Sequence, residues 1–558
     1  MKKEIRHFFI VAALFLLPNL NFGQSHELVV PDFITSSQFL ETFILGDTTT
    51  FGTRKDYDRV YVLKRGGSYY VSVSLSNQSV KTGAWPLRIK AESGTGARPV
   101  IYAYRNTNGA YNTQIFNNYD VIDLQSVVLV GWSAGLEAFD RNVTRLVNGA
   151  ALGATIILDD CILTDASATL VQTSSAAKYV KATNTTFANS ANLKQTNLGN
   201  GRAIDFRDVA VDSVYIENCS FLNFTDRVLR HYNALAPIKK FYLNHNTFVN
   251  ILAEHGCLSL GRIQGDVKIN NNLFVDNFIF GNDSSAYQGT DSRIAEFLYT
   301  GEVGPNGKAR MTMVGSVKND TSFIKWEIRN NYYSISPAVQ TFYDTHTPPG
   351  LGDLIPLTWH INGKLGADSV NAFQKLATPI VFGNTPATPL AFAEWFFKPI
   401  AEGGAGKSKS NANFTLAVDF DRKDAAYYQN TLDLKYSTSS PAYTGADNGL
   451  PVGATTWWGI VLDVQKTDVI PTTFSLEQNY PNPFNPATKI SYNLPKSSQV
   501  KLEVFDILGR KVATLVDQFQ QVGQYKVDFV ASKLSSGVYI YQLSTQDQMM
   551  TKKMMLLK

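Results

Sequence analysis

The sequence has 558 residues, of which 44% are hydrophobic and 18% are charged, with a formal net charge of +4. This composition is typical of a folded chain, and a charge so close to balance excludes bulk electrostatic binding to nucleic acid, which needs a concentrated basic face. Three cysteines cannot all pair with one another, so we expect no disulfide scaffold and interpret them as small core residues.

Residues 1–23 have the order of a cleavable secretory signal. Lys2, Lys3 and Arg6 form a basic start, an apolar run extends from Phe8 to Leu17, and the small residue Gly23 marks the cleavage point. The apolar run is shorter than the ~20 residues that cross a bilayer, and no later segment qualifies as a stable transmembrane segment. The sequence therefore predicts export.

Short strands separated by turns are expected in 24–125. The run 59–63 reaches a turn at Gly66 and Gly67, and the alternating run 69–73 follows. Glycines at the turn and β-branched or aromatic residues on both sides predict a hairpin. We interpret 24–125 as a β-rich N-terminal segment that includes the start of a solenoid.

One eight-residue phrase recurs in the middle of the chain, at 156–163, 180–187, 214–221, 241–248, 267–274 and 326–333. Its third residue is apolar and its eighth is Leu, Phe or Tyr. Its fifth residue is, in chain order, Asp160, Asn184, Asn218, His245, Asn271 and Asn330. The first five copies recur every 24 to 34 residues, which suits one coil of a right-handed parallel β-helix with strands stacked at ~4.8 Å.

The repeated asparagine indicates a corner of the coil. Asparagine tolerates left-handed backbone, and its amide can bond to the next asparagine in the stack. A β-sandwich with chance similarity is the alternative. We expect an all-β chain: a parallel β-helix with a C-terminal cap at 126–463, a linker at 464–473, and a small immunoglobulin-like β-sandwich of alternating strands at 474–558.

The C-terminal motifs are specific. They are Asn479–Pro486 (NYPNPFNP), Val504–Arg510 (VFDILGR) and Ser536–Tyr539 (SGVY). This stretch resembles the type A sorting domains of the bacterial type IX secretion system. The resemblance implies that the type IX machinery is a partner through residues 474–558. It also implies that the tail is removed and that the protein is released or attached to the outer-membrane surface.

The middle of the chain resembles the pectin-lyase-like superfamily of right-handed β-helices. The segment Leu432–Lys435, then Ser440–Ala442, and the end near Trp458 are similar to the close of such solenoids. The superfamily includes polysaccharide lyases, glycoside hydrolases, esterases and inert binding proteins, so the fold does not decide the function. No His, Cys or Asp cluster has metal-ligand spacing. The cofactor is unknown, and only the family resemblance suggests calcium.

Candidate site residues follow a second predicted strand of each coil. Arg207, Arg230 and Arg262 each end such a strand, and stacked strands would align them as a ladder on one face that holds an acidic glycan through arginine–carboxylate contacts. The alternative is a solvated, salt-bridged face. The predicted catalytic residues are Arg230, His231 and Arg262, and the predicted substrate-binding residues are Arg207, Tyr232 and His255.

Two fragments are similar to polygalacturonase-type hydrolases, Asp159-Asp160 and His255-Gly256. In that family they lie about one coil apart, whereas here several coils separate them, so we interpret the match as coincidental. The sequence predicts a secreted or cell-surface β-helix protein acting on polysaccharide, with lyase action on acidic glycans favoured. The alternative is a non-catalytic glycan-binding or adhesive surface protein. Substrate, bond, metal requirement and oligomeric state stay open.

Overall fold

The fold was analysed in a computed structural model of the chain. The structure describes residues 26–81, 83–110, 112–131, 143–191, 200–231, 235–253, 256–280, 312–316, 324–346, 354–406, 421–460, 462, 474–495, 498–520, 523–531, 534–545 and 547–557. The predicted signal peptide, Tyr232 and His255 lie outside the described residues.

Three parallel sheets run side by side along the solenoid and confirm the predicted β-helix. Sheet 1 contains Glu27–Val30, Val60–Leu63, Leu87–Ala91, Val121–Gln125, Ala154–Asp159, Ala177–Thr183, Val211–Glu217, Pro237–Asn244, Val267–Asn270 and Trp326–Arg329, with Arg262–Ile263 beside Pro237–Asn244. Sheet 2 contains Ser68–Val71, Val100–Ala103, Val128–Val130, Ile162–Thr164, Thr186–Ser190, Ser220–Phe224, Thr247–Ile251, Leu273–Asn277, Asn331–Ser334 and Phe373–Lys375. Sheet 3 contains Leu75–Ser76, Gln114–Asn118, Arg145–Gly149, Thr169–Thr173, Arg202–Asp205, Leu229–Arg230, Leu258–Ser259 and Val314–Gly315.

Alternation within the repeated phrase builds the core. The first and third residues face inward, as Val214 and Ile216 do at 2% and 1% exposure, because successive side chains of a strand point to opposite faces. The eighth residue forms a stack through Phe187, Phe221, Phe248 and Phe274, with ring centroids 4.8, 5.0 and 4.5 Å apart. The stack fixes the register of successive coils.

The fifth residue of every copy forms the predicted corner. All six have left-handed backbone, with φ between 52° and 60°. The Asn218 amide donates to Asn184 Oδ1 at 2.7 Å, as predicted for stacked corner residues. The next residue along builds a second, buried ladder, in which Asn246 donates to Asn272 Oδ1 at 2.9 Å and Asn272 to Asn331 Oδ1 at 2.8 Å.

The predicted hairpin near residue 66 is wrong. Val60–Leu63 pairs with Glu27–Val30 and Leu87–Ala91 in sheet 1, whereas Ser68–Val71 pairs with Val100–Ala103 in sheet 2. The glycine turn is therefore a corner between two sheets of one coil. Residues 122–129 are a further copy of the phrase, aligned with 156–163 in both sheets, and carry Ser126 at the corner with φ 55°.

A second corner lies near the end of three successive sheet 2 strands, Thr186–Ser190, Ser220–Phe224 and Thr247–Ile251. Asn189, Asn223 and Asn250 have φ of 57°, 60° and 57° and form a ladder of amide hydrogen bonds at 3.2 and 3.3 Å. Their amides also donate to the carbonyl oxygens of Lys423, Asp421 and Pro386, respectively, at 3.0, 3.1 and 3.0 Å. This corner therefore binds the C-terminal part of the solenoid region.

That C-terminal part covers the outer face of sheet 2. Tyr428 and Leu434, at 4% and 1% exposure, belong to one apolar cluster with Ile162, Leu222 and Val249 of sheet 2. The described helices are Phe33–Ser36, Leu40–Gly46, Pro337–His346, Trp359–Leu365, Leu390–Phe397 and Ala425–Asn430, with 3-10 turns at Gly366–Asn371, Ile400–Glu402, Pro441–Tyr443, Asp447–Gly449 and Thr455–Trp458. Sheet 2 is thus closed to large ligands over these coils.

The three cysteines are free and buried, as the sequence predicts. Cys161 and Cys219 occupy the sixth position of their copies, two coils apart. Burial raises the pKa of the Cys161 thiol to about 12, so this side chain is an unreactive core group.

The tail forms two antiparallel sheets, consistent with the predicted small β-sandwich. One contains Ser475–Leu476, Ala487–Leu494 and Gly523–Val530, and the other contains Lys511–Gln520, Ser498–Asp506, Gly537–Ser544 and Met549–Leu556 in spatial order. They enclose a separate core that includes Ile490, Leu502 and Tyr541.

We predict that Asn271→Leu destabilises the solenoid. The Asn271 amide donates to Asn244 Oδ1 at 2.9 Å and to Asp447 Oδ2 at 3.0 Å, and its φ of 60° disfavours leucine. Lost hydrogen bonds and left-handed strain together predict a loss of about 2 to 4 kcal/mol in unfolding free energy. Urea unfolding checks this, with Asn271→Gly as the variant that keeps only the backbone freedom; equal stability of wild type and the leucine variant would contradict the corner's role.

Candidate functional site

The outer face of sheet 1 carries two columns of polar and aromatic side chains. They come from the second and fourth residues of the phrase, which point away from the core. Strand register aligns Tyr215, Tyr242, Lys268 and Glu327 in one column and Glu217, Asn244, Asn270 and Arg329 in the other. The Tyr215 and Tyr242 rings stack with centroids 4.5 Å apart.

These columns form the floor of a cleft of about 610 Å³, within the range of small-molecule sites. Residues 447–460 together with Leu462, which we call the closing segment, form its other wall. The lining residues are Glu217, Tyr242, Asn244, His245, Lys268, Asn270, Asn271, Glu327, Arg329, Asp447, Asn448, Leu450, Ile460 and Leu462. Most of them are polar.

The corner residues hold the closing segment in place. Asp447 pairs with Arg329 and accepts a hydrogen bond from Asn330 Nδ2 at 3.0 Å. Farther along, His245 Nδ1 lies 3.2 Å from the Gly453 carbonyl oxygen, and the Thr455 backbone N–H donates to Asn218 Oδ1 at 2.6 Å. The repeat that defines the solenoid therefore also positions the cleft wall.

Glu217 is the most buried carboxylate of the cleft, at 5% exposure. Its Oε2 accepts a hydrogen bond from the Tyr215 hydroxyl at 2.6 Å, and its Oε1 accepts from the Tyr242 hydroxyl at 3.0 Å and the Asn244 amide at 2.7 Å. Burial, with the negative charge of Glu217, raises the pKa of Tyr242. The tyrosine therefore stays a protonated donor at neutral pH.

The pKa values of the other two carboxylates of the cleft, Glu327 and Asp447, are lowered. Burial would raise the pKa of Glu327, but the Asn270 hydrogen bond and the charges of Lys268 and Arg329 hold it below its ordinary value. Burial would also raise the pKa of Asp447, but Arg329 and the hydrogen bond from Asn271 lower it. Lys268 and Arg329 lie 3.3 and 3.0 Å from Glu327 oxygens, so both cations are already paired.

The predicted arginine ladder is not formed. Register places Arg230 opposite Asp205 and Ser259 in sheet 3, whereas Arg262 pairs opposite Pro237 in sheet 1. Arg207 follows its strand in left-handed backbone, φ 43°, and is exposed. The ladder is absent because Arg262 lies in a different sheet and Arg207 lies two residues beyond Asp205, the residue that pairs with Arg230. The order of the residues along the sequence does not reveal this difference.

Arg230 and His231 are buried and make contacts within the solenoid. Arg230 is 7% exposed and donates to Asp205 Oδ1 at 2.9 Å and Asp208 Oδ2 at 3.2 Å. His231 is 0% exposed, and a Cβ at Gly261 would lie 2.2 Å from its Nδ1. Burial lowers the pKa of His231, which favours a neutral packed ring.

Arg230 belongs to a buried ion network on sheet 3. Arg202 bridges Asp205 and Asp226 at 2.9 and 2.7 Å, and Arg227 lies 3.2 Å from Asp226. Asp226 and Arg227 are 0% and 1% exposed. On the sequence alone, a salt-bridged face was the alternative to a glycan-binding ladder. These arginines resemble that alternative, except that their ion pairs are buried and not solvated.

The sequence reasoning missed the cleft. Trp457 and Trp458 of the closing segment are half-buried: the Trp458 ring centroid lies 4.9 Å from that of Tyr436, and Trp457 Nε1 donates to Ser220 Oγ at 3.2 Å. The available signal was the second and fourth positions of the phrase, where tyrosines, carboxylates, amides and cations recur from 215 to 329.

The residues that the structure describes contain neither a clustered metal-ligand set nor a membrane-spanning helix. In this part of the chain, no group of three or more His, Cys, Asp or Glu side chains is arranged to hold a metal ion. The same residues contain no helix with the length and apolarity needed to cross a membrane.

Comparison with known proteins identifies the tail. Residues 478–557 match the family described as the secretion system C-terminal sorting domain. The match indicates that the chain is handled by type IX secretion and is a secreted or cell-surface protein. No curated protein and no solved structure matches the chain.

Proposed function

We propose that this exported chain is a polysaccharide-binding β-helix protein whose binding site is the cleft between sheet 1 and the closing segment. The observation that carries the proposal is the density of fixed polar groups on the cleft floor. Carboxylate, amide, hydroxyl and ammonium groups alternate there, and each is oriented by a neighbour. Sugars present hydroxyl groups that both donate and accept hydrogen bonds, so such a floor is complementary to them.

Binding without cleavage fits the lowered pKa values of two cleft carboxylates, Glu327 and Asp447. A glycosidase needs one carboxyl group with a raised pKa as general acid, whereas the pKa values of Glu327 and Asp447 are lowered. A lyase needs a base, whereas Tyr242 has a raised pKa and donates a hydrogen bond from its hydroxyl to Glu217. These properties favour the non-catalytic alternative over lyase action.

The lyase hypothesis assigns catalysis to Arg230, His231 and Arg262 and binding to Arg207, Tyr232 and His255. Substrate would have to reach Arg230 and His231, which are 7% and 0% exposed, and to compete with Asp205 and Asp208 for the guanidinium group. Breaking buried ion pairs is costly, so we rank this hypothesis second.

We predict that Tyr242→Ala weakens polysaccharide binding at least about tenfold, equivalent to about 1.4 kcal/mol. The change removes a ring of the cleft floor and the donor that orients Glu217. Affinity electrophoresis of the full chain in gels containing single polysaccharides measures the dissociation constant.

Tyr104→Ala is the matched control. Tyr104 is 39% exposed and lies among other aromatic rings beside Tyr70 of sheet 2, away from the cleft. The control should bind as the wild type does. Equal affinities of the wild type and Tyr242→Ala would place binding elsewhere and contradict the proposed site.

A further inference from the structure

The sorting domain presents two apolar side chains on a rigid turn. Ile507 and Leu508 are each 72% exposed and lie between strands Ser498–Asp506 and Lys511–Gln520. Asp506 Oδ1 accepts hydrogen bonds from the backbone N–H of Leu508 at 2.9 Å and of Arg510 at 3.0 Å, and Asp506 Oδ2 accepts from Arg510 Nε at 2.7 Å. The turn is therefore fixed while its apolar side chains face solvent.

Two more apolar side chains lie at the same end of the sheet. Val538 and Met555 are directly opposite on neighbouring strands and are 37% and 41% exposed. Asp506 pairs opposite Tyr539, which brings the turn to this end. We call Ile507, Leu508, Val538 and Met555 the end patch.

The end patch is separate from the core of the domain. Tyr539 and Met554, the neighbours of Val538 and Met555 in sequence, face inward at 8% and 1% exposure. The strand alternation that buries one face leaves the other outside. Keeping four apolar side chains exposed on ordered backbone adds nothing to the stability of the domain, so a role in recognition explains them better.

We propose that the end patch docks the tail into an apolar groove on a protein component of the secretion apparatus. A sorting domain acts by being recognised, and the match at 478–557 gives this domain that role. Apolar anchors on a preformed turn bind with little ordering cost. Arg510, exposed beside the anchors, supplies a cation for the rim of the contact. The inference is independent of polysaccharide binding.

The test is export of the full chain carrying Ile507→Ser and Leu508→Ser together, in a bacterium that has the type IX apparatus. The exported fraction, measured by immunoblot of surface and medium against periplasm, should fall at least tenfold. Thermal unfolding of the purified variant should match the wild type, because neither side chain belongs to the core cluster.

Met549→Ser is the matched control, since Met549 is 65% exposed at the opposite end of strand Met549–Leu556. It should be exported normally. Ile507→Val with Leu508→Met keeps the apolar surface and should also be exported. Normal export of the double serine variant, or equal loss in the Met549 control, would overturn the proposal.

A lipid partner is the contrasting outcome. If the wild-type chain bound protein-free lipopolysaccharide vesicles, and the double serine variant lost that binding, the patch would be a membrane contact and the protein-groove proposal would be wrong. Loss of export in the double serine variant, with no vesicle binding by the wild-type chain, supports the protein-groove proposal.

Discussion

Asp205→Asn should lower the unfolding free energy of the solenoid by about 3 to 5 kcal/mol, the range for removing one partner from a buried ion pair. Asp205 is 1% exposed and accepts from Arg202 and Arg230, each at 2.9 Å. The asparagine keeps the shape but leaves two buried guanidinium groups short of negative charge. Urea unfolding followed by circular dichroism measures the loss.

Asp212→Asn is the control for this experiment. Asp212 pairs with Lys239 at 2.7 Å, but both side chains are about half exposed, and such a pair contributes about 0 to 1 kcal/mol. A loss at Asp205 no larger than at Asp212 would show that the network is not a stabilising element.

The effect of Asp205 should also depend on pH. Burial would raise the pKa of Asp205, but the charges of Arg202 and Arg230 outweigh burial and lower it. A lowered folded-state pKa stabilises the fold above the unfolded value of about 3.9 and loses that contribution as the pH falls through the folded value. The difference between wild type and Asp205→Asn should therefore be full at pH 7 and shrink below about pH 4.

Phe248→Ala should cost about 3 to 5 kcal/mol, the range for removing a buried aromatic ring. Phe248 is 0% exposed and lies between Phe221 and Phe274, at 5.0 and 4.5 Å between centroids. A cavity there interrupts the stack between two coils, so neither neighbouring ring keeps both contacts. The unfolding midpoint in urea reports the change.

Phe51→Ala is the control, because it removes a phenylalanine ring that is not part of the core stack. Phe51 is 83% exposed, and surface substitutions usually change stability by no more than about 0.5 kcal/mol. Similar midpoints for the two variants would contradict the assignment of Phe248 to a continuous core stack.

The sequence predicted the solenoid because its coils share a local requirement. Every coil must turn with left-handed backbone, and asparagine, aspartate or histidine meets that need at Asn184, Asp160 and His245 alike. The copy at 122–129 was not identified from the sequence because its corner residue is a serine, Ser126. The second corner, at Asn189 and its equivalents, follows the phrase by two residues. It could have been predicted from the sequence in the same way as the first corner.

The site was harder to predict, because it depends on register and on contacts distant in sequence. Arg207 and Arg262 end strands as Arg230 does, yet pairing puts Arg262 in sheet 1 and aligns Arg230 with Asp205. The cleft wall comes from residues near 447, which the corner amides bind across more than a hundred positions. Periodicity alone gives neither fact.

The tail was predictable for a different reason. Its motifs are local and specific, and the matched range 478–557 lies inside the expected 474–558. The predicted domain boundaries elsewhere, and the signal peptide, stay predictions.

We propose that the chain binds polysaccharide in the cleft and does not cleave it. The direct measurement incubates the full chain with a panel of neutral and acidic polysaccharides and records co-sedimentation together with ultraviolet absorbance of unsaturated ends and new reducing ends. We expect retention on at least one polysaccharide, lost in Tyr242→Ala, with no product. Product formation, or retention on none of the panel, would contradict the claim.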